Sequence, residues 1–280
     1  MTAKASQSMG SARSRPPSTF MAKGRIQSAL ELAKMEQEVE DYNAGIVASA
    51  RDQVEAASRR RLICMPLDER FDPSMGQFSH KHVQTGDKMS LPRNFWDAIM
   101  KSGAEVPWLF EVSRIDGVTK PRVENVGEEY AMNPLDKVVG GILDTRAPSN
   151  YIFLPWWMMR ALGLHPRDIV NVQMITTVPP GSSAKFRPHS TDFANNIDNP
   201  QAVMETELKH YSSLTKGASI AMDYNGQRYW LDIVDIKSSP RNERVSWIKV
   251  QDCNVSTDFL TAKNDKSQKR KRKEVNDETN

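Results

Sequence analysis

Residues 151–164 read YIFLPWWMMRALGL, and this stretch decides how the rest of the chain is read. The first four residues have the length and apolar bias of a buried strand. Pro155 ends that strand, because its ring removes the N–H that a ladder needs. Proline suits a first helical turn, so Trp156–Leu162 is predicted as a short helix. Paired tryptophans and paired methionines give this helix a large apolar area, as core packing requires. Trp157 and Met158 are therefore expected to be buried, and nothing in the run is itself catalytic.

Outward from it, the chain from residue 62 breaks into short apolar runs separated by Pro and Gly. Strands are predicted at 62–66, 88–91, 109–113, 138–143, 151–154 and 169–177, with helices at 94–101 and 156–162. Several short strands at this spacing suggest a barrel or sandwich. VPPGSS (178–183) reads as a connection to a second lobe. There, Asn199 as N-cap and Pro200 in the first turn predict a helix reaching about residue 214. Strands follow at 219–223, 229–236 and 244–250. Tyr224-Asn225-Gly226 is a hairpin turn, since Asn-Gly tolerates positive φ. Before all of this, 24–61 reads as one helix. Met35, Val39, Tyr42 and Ile46 recur at helical spacing, and Ile26, Leu30 and Ala33 form a second stripe. Such a helix either docks on its own domain or meets a partner.

These blocks carry a resemblance. A strand ending in Leu154-Pro155, then Trp157, Met158 and Met159 on a helix, resembles the ubiquitin fusion degradation protein 1 family. Upstream, GDKMSLP (86–92), with Gly86, Asp87 and Pro92, then Phe95 and EVPWLFEV (105–112) look like that family's first strands. Downstream, KFRPHSTDF (185–193) supplies Lys185, Phe186, Pro188 and Phe193. NPQAVMETELKHYSSLTKG (199–217) and MDYNGQRYWLDIVDIK (222–237) follow in the family's order. VQDCNVSTDF (250–259) resembles the place where its folded domain ends.

The resemblance covers about 62–259. It implies a mostly β fold with α/β: a double-psi β-barrel lobe over 62–180 and a small α/β roll lobe over 181–259. The long helix of 24–61 lies outside it. The motif residues are expected to build the fold, and the ubiquitin-binding surface is not identified by them. Two departures stand out: 115–136 is longer than the family's connection, and Gly217-Ala218 replaces its usual Gly-Asp.

Composition is that of an ordinary globular protein, with 39% hydrophobic and 26% charged residues and a net charge of +3. Two cysteines, Cys64 and Cys253, argue against a disulfide framework and for a reducing compartment. No apolar run is long enough to span a membrane. Residues 1–23, rich in Ser and Arg, read as a disordered basic tail or an organelle transit peptide. Residues 260–280 read as a second basic tail. Within it, Lys269, Arg270, Lys271, Arg272 and Lys273 suit a nuclear localisation signal.

Catalytic constellations are incomplete. Ile142–Pro155 (ILDTRAPSNYIFLP) superficially resembles an aspartic-protease segment, but Arg146 stands where Gly is needed. A cation there would keep Asp144 ionised rather than sharing a proton, and Asp144 reads as a turn residue. His80 and His82 alone are too few ligands for a closed zinc site. His165-Pro-Arg-Asp168 matches a kinase loop by letters only. Basic tails bind phosphate without reading sequence, which leaves a nucleic-acid role as a minor alternative.

The resemblance thus implies a non-catalytic adaptor without a cofactor, binding ubiquitin and polyubiquitin and recruiting ubiquitinated substrates to an AAA ATPase of the valosin-containing class. The setting is ubiquitin-dependent degradation, including the ER-associated route, in cytoplasm or nucleus. The residues after Phe259 contain neither Gly nor Phe. Contact with the ATPase is therefore expected to avoid the family's glycine-containing tail motif, and contact with a nuclear-protein-localisation partner is left open. The alternative is a paralogue working in organelle protein import.

Overall fold

The computed structural model describes residues 19–67, 85–115 and 134–265, with side chains from residue 27 onward. Residues 1–18 of the tail expected over 1–23, His80 and His82, residues 116–133 of the insertion expected over 115–136, and Lys269–Lys273 lie outside these residues; residues 19–23, expected as tail, belong to a helix. The chain divides into two units, residues 1–38 and 39–280. In its described part the first is helical, the start of α1 (Thr19–Ser49). Leu30 in this part is 66% exposed. No helix among the described residues is long and apolar enough to cross a membrane.

In the second unit the last turns of α1 bury Val39. Asn43 clasps the backbone of Arg61 in both directions: its amide donates to the Arg61 carbonyl and its oxygen accepts from the Arg61 N–H, each at 2.8 Å. The Arg61 guanidinium lies 3.5 Å from the centre of the Tyr42 ring. The single helix expected over 24–61 does not form. Asp52 captures the amides of Val54 and Glu55 and starts a separate α2 (Gln53–Ser58). Arg59 already belongs to β1 (Arg59–Pro66), where antiparallel pairing with residues 169–173 overrides the helical preference of the local sequence.

The strands β1, β2 (Lys88–Pro92), β3 (Leu109–Arg114), β4 (Lys137–Ala147), β5 (Tyr151–Leu154) and β6 (Ile169–Ile175) close into a barrel in the order β1-β5-β2-β4-β3-β6. The β1–β5 and β2–β4 pairs are parallel and the remaining pairs antiparallel. Inward residues such as Leu62, Met89, Phe110, Ile152, Leu154 and Val172 are fully buried. Helix α3 (Asn94–Ser102) and helix α4 (Trp156–Leu162) pack on the barrel. Pro155 caps α4, its carbonyl accepting from the amides of Met158 and Met159. Trp157, Met158 and Met159 are at most 2% exposed, whereas Trp156 is 48% exposed. Gly140 on β4 is required by this packing. A Cβ there would overlap the Met158 methyl and stand 2.6 Å from the Asp87 carbonyl.

After the barrel, β7 (Gly181–Pro188) takes over part of what reads as a connection. Helices α5 (Asp192–Asn196) and α6 (Pro200–Glu207) follow, then β8 (Ser213–Thr215), β9 (Ser219–Tyr224), β10 (Gln227–Ser238), β11 (Trp247–Lys249) and β12 (Ser256–Phe259). Four of these form a sheet in the order β12-β7-β10-β9, and β11 pairs with β8. Asn199 accepts from the Ala202 amide and opens α6. The helix ends well before residue 214, passing through a 3-10 turn at Leu208–His210. Asn225 and Gly226 have φ of 49° and 77°, the left-handed pair that the β9–β10 hairpin needs. Gly217, at φ 86°, turns the chain before the fully buried Ala218, so the position of the family's usual Asp is here part of the core. Phe259 lies against Phe186 and Phe193, and Phe193 meets Tyr229 edge-on.

Candidate recognition surface

Three of the motif residues, Gly86, Asp87 and Trp157, meet where the barrel touches the start of β8, and their chemistry is that of a joint. Asp87 is fully buried. Its Oδ1 accepts from the Ser212 amide at 2.8 Å; its Oδ2 accepts from the Ser213 amide at 2.9 Å and the Ser213 hydroxyl at 3.1 Å. Burial raises the Asp87 carboxyl above its ordinary value, against the opposing pull of Lys88 and these donors. Lys88 in turn donates to the Ser212 hydroxyl. The Ser213 hydroxyl donates to the Val139 carbonyl, and the Val139 amide donates to the Thr215 hydroxyl. Trp157 donates to the Gly86 carbonyl at 2.7 Å, and its ring lies 6.2 Å from that of Tyr211. Arg160 crosses to the Trp230 ring at 4.5 Å. Gly86, Asp87 and Trp157 thus hold Tyr211, Ser212 and the start of β8 against the barrel. Pro92 ends β2. Phe186, Pro188 and Phe193 are core, and Lys185 stands on the outer side of β7.

Among the described residues the polar clusters at Asp144, His165 and Asp232 do not assemble a nucleophile with its base. Asp144 sits inside β4 rather than in a turn, because β4 runs on to Ala147. Its carboxylate accepts from Ser90 at 2.5 Å and from the Arg146 guanidinium at 2.8 Å, with no second carboxylate among these partners. His165 and Asp168 close the turn before β6, the His165 amide donating to Asp168. In the second sheet, the Ser219 hydroxyl and His189 Nε2 both bond to Asp232 Oδ1, at 2.5 and 2.6 Å. A catalytic triad would place the hydroxyl on the imidazole instead. Among the described residues no three metal-binding side chains come together.

The Asp232 cluster is structural and fastens the segment after β12. Lys263 Nζ lies 2.5 Å from Asp232 Oδ2, and its backbone amide donates to the Pro188 carbonyl. Burial disfavours the Asp232 charge, but bonds from His189, Lys263 and Ser219 outweigh it and hold the carboxyl at about 2. A depressed value means that its contribution is complete above the ordinary 3.8 and is lost as pH falls through about 2. Asp232→Asn is therefore expected to be less stable at neutral pH. Its deficit in urea midpoint should narrow as pH is lowered from about 4 to about 2. A deficit constant across that range would contradict the assignment.

The surface suited to recognition lies on α3 and the loop after it. One face of α3 buries Phe95, Ala98 and Ile99, with Phe95 edge-on to Phe110 at 5.3 Å. Its other face would ordinarily be polar. Instead it carries Trp96 and Met100, one helical turn apart and 39% and 63% exposed. The Trp96 ring meets Trp108 edge-on at 5.7 Å, and Trp108 is steadied by donating to the Ala104 carbonyl. Val106, 61% exposed, extends the patch. Beside it opens a cavity of about 260 Å³, lined by Glu105, Val106, Trp108, Met174, Thr176 and Lys249 among others. Apolar anchors with charged groups at the margin have the character of a protein-recognition surface. The strand expected over 109–113 is observed, whereas the resemblance block 105–112 reads whole as part of the first strands. The strand begins only at Leu109, and Glu105–Trp108 form the loop that builds this rim. The i, i+4 pair Trp96 and Met100, opposite Phe95, Ala98 and Ile99, is the signal that could have located it.

Comparison with known proteins bears on both lobes. Residues 69–178 match the family model described as ubiquitin fusion degradation protein UFD1, N-terminal subdomain 1, and residues 180–262 match that of N-terminal subdomain 2. The chain is 31% identical over 189 residues to the ubiquitin fusion degradation protein 1 homolog of Caenorhabditis elegans, covering 68% of this chain and 48% of that protein. It is 30% identical over 168 residues to ubiquitin fusion degradation protein 1 of Schizosaccharomyces pombe, covering 60% of this chain and 44% of that protein. It is 27% identical over 192 residues to the mouse ubiquitin recognition factor in ER-associated degradation protein 1, covering 68% and 54%. The chain spans about half the length of the curated relatives it matches.

Proposed function

We propose, since this chain belongs to the ubiquitin fusion degradation protein 1 family, that it is a ubiquitin-recognition module that performs no covalent chemistry. In this reading it presents ubiquitinated clients to an AAA ATPase of the valosin-containing class, in ubiquitin-dependent and ER-associated degradation. The parallel β1–β5 and β2–β4 pairs are read as the double-psi arrangement of the barrel, and the later sheet as its α/β roll. The observation that carries the reading is the exposed apolar surface of Trp96, Met100 and Val106, backed by the half-buried Trp108, on the lobe matched to subdomain 1. The relatives' printed names supply the partner: one is called a ubiquitin recognition factor.

Recognition of a folded protein concentrates in a few apolar anchors, with tryptophan prominent among them. Trp96 and Met100 are expected to be such anchors. The test is calorimetric titration of the full chain with ubiquitin chains. Trp96→Ala with Met100→Ala should weaken binding about tenfold or more without lowering the unfolding midpoint, since neither side chain is core. Tandem ubiquitins should bind more tightly than one, through effective concentration. Undiminished affinity in the double variant would move the site elsewhere, and absence of binding by the unaltered chain would reject the reading itself.

A further inference from the structure

The four-stranded sheet has a second exposed character, unrelated to the apolar patch. Alternation along β7 turns Ala184 and Phe186 inward and Lys185 and Arg187 outward. On β10, Asp235 stands opposite Lys185 and Lys237 opposite Ser183; on β12, Asp258 is the neighbour of Lys185. Two further cations converge here. Lys216 Nζ and Arg244 Nε each lie 3.3 Å from an Asp235 oxygen. The carboxylate is the sheltered partner, with 14% of the Asp235 side chain exposed against 43% of Lys216 and 75% of Arg244. Lys185, Arg187 and Lys237 make no ion pair within 4.0 Å of a described carboxylate, although Asp232 stands opposite Arg187 and Lys237 acts electrostatically on Asp235. The face therefore presents more positive charge than its inset carboxylates neutralise.

We propose that this outward face of β7 and β10 docks an acidic segment of a partner protein, with carboxylates pairing to Lys185, Arg187 and Lys237. The spacing suits an extended chain. Lys185 and Arg187 are alternate residues of one strand, about 6.6 Å apart, and Lys237, opposite Ser183, lies about 6.6 Å further along and about 4.8 Å across on the next strand. Acidic side chains at alternate positions of a peptide repeat at the same interval. The inset Asp235 and the exposed Asp258 select against a polyphosphate. Nucleic acid would bring phosphates to every position, these two included, whereas a peptide can place neutral residues there.

The probe is a fluorescein-labelled decapeptide alternating Glu and Ser, titrated with the full chain at low salt and followed by fluorescence anisotropy. The variant Lys185→Ser, Arg187→Ser, Lys237→Ser alters only side chains on the outer face. It should bind about tenfold more weakly, as expected when several ion pairs are lost together. Arg51→Ser, Arg93→Ser, Lys209→Ser removes the same charge from exposed sites elsewhere in the same unit and should bind as the unaltered chain does. Near-ultraviolet circular dichroism checks that both variants keep their packing. Equal loss in both variants, or no binding by the unaltered chain, would overturn the proposal. So would tighter binding of a single-stranded oligonucleotide of equal charge, or of anionic vesicles.

Discussion

Asp87→Ala is expected to destabilise the protein by about 3–5 kcal/mol, the range for breaking a buried charged network from one side. The carboxylate is the acceptor for two amides and a hydroxyl on residues 212 and 213, more than a hundred positions away. Alanine leaves the Ser212 and Ser213 amides buried without this acceptor, while the Ser213 hydroxyl keeps the Val139 carbonyl, and the Asp87 site is fully buried. Each orphaned donor costs its desolvation, about 1–3 kcal/mol. Asp87→Asn should be intermediate, because its amide oxygen can replace one carboxylate oxygen while its NH2 faces a donor. The measurement is urea unfolding at neutral pH, followed by tryptophan fluorescence. A loss below about 1 kcal/mol for Asp87→Ala would mean that the joint does not depend on this carboxylate.

Trp157→Ala carries the second large effect, about 3–5 kcal/mol for emptying a large aromatic site in a core. The indole is 2% exposed, packs beside Tyr211 and donates to the Gly86 carbonyl. Trp157→Phe should recover much of the packing but not the hydrogen bond, and so fall between. Its neighbour is the internal control. Trp156 precedes it on the same helix but is 48% exposed, and Trp156→Ala should shift stability by no more than about 0.5 kcal/mol. Similar losses for the two tryptophans would contradict the packing described for α4.

The strand and helix around Pro155 were legible because a prolyl cap and an apolar helix leave local marks. The Asn225-Gly226 hairpin and the Asn199-Pro200 helix start were legible for the same reason: each depends on the φ preference or capping chemistry of its own residues. What escaped the sequence depends on distant partners. Nothing local in Ser213–Thr215 favours a strand; Asp87 holds the Ser213 amide and β11 pairs with it. Arg59–Arg61 read as helix because the pairing with Asn171–Gln173 that makes them β1 is invisible at short range. Lys185–Pro188 was recognised as a motif but not as a strand, since its pairing with β10 spans dozens of residues. The proposed recognition surface was the least legible part. Trp96, Met100 and Trp108 have core-like composition, and only the helix phase set by Phe95, Ala98 and Ile99 tells which side faces out.

Chemical-shift mapping of the isotopically labelled full chain with unlabelled ubiquitin tests the central claim most directly. The account predicts saturable changes concentrated at Trp96, Met100 and 103–108, with both indole N–H signals of Trp96 and Trp108 moving while that of Trp157 stays still. Saturable changes confined to other surfaces, or none at about millimolar ubiquitin, an affinity limit near −4 kcal/mol, would contradict it.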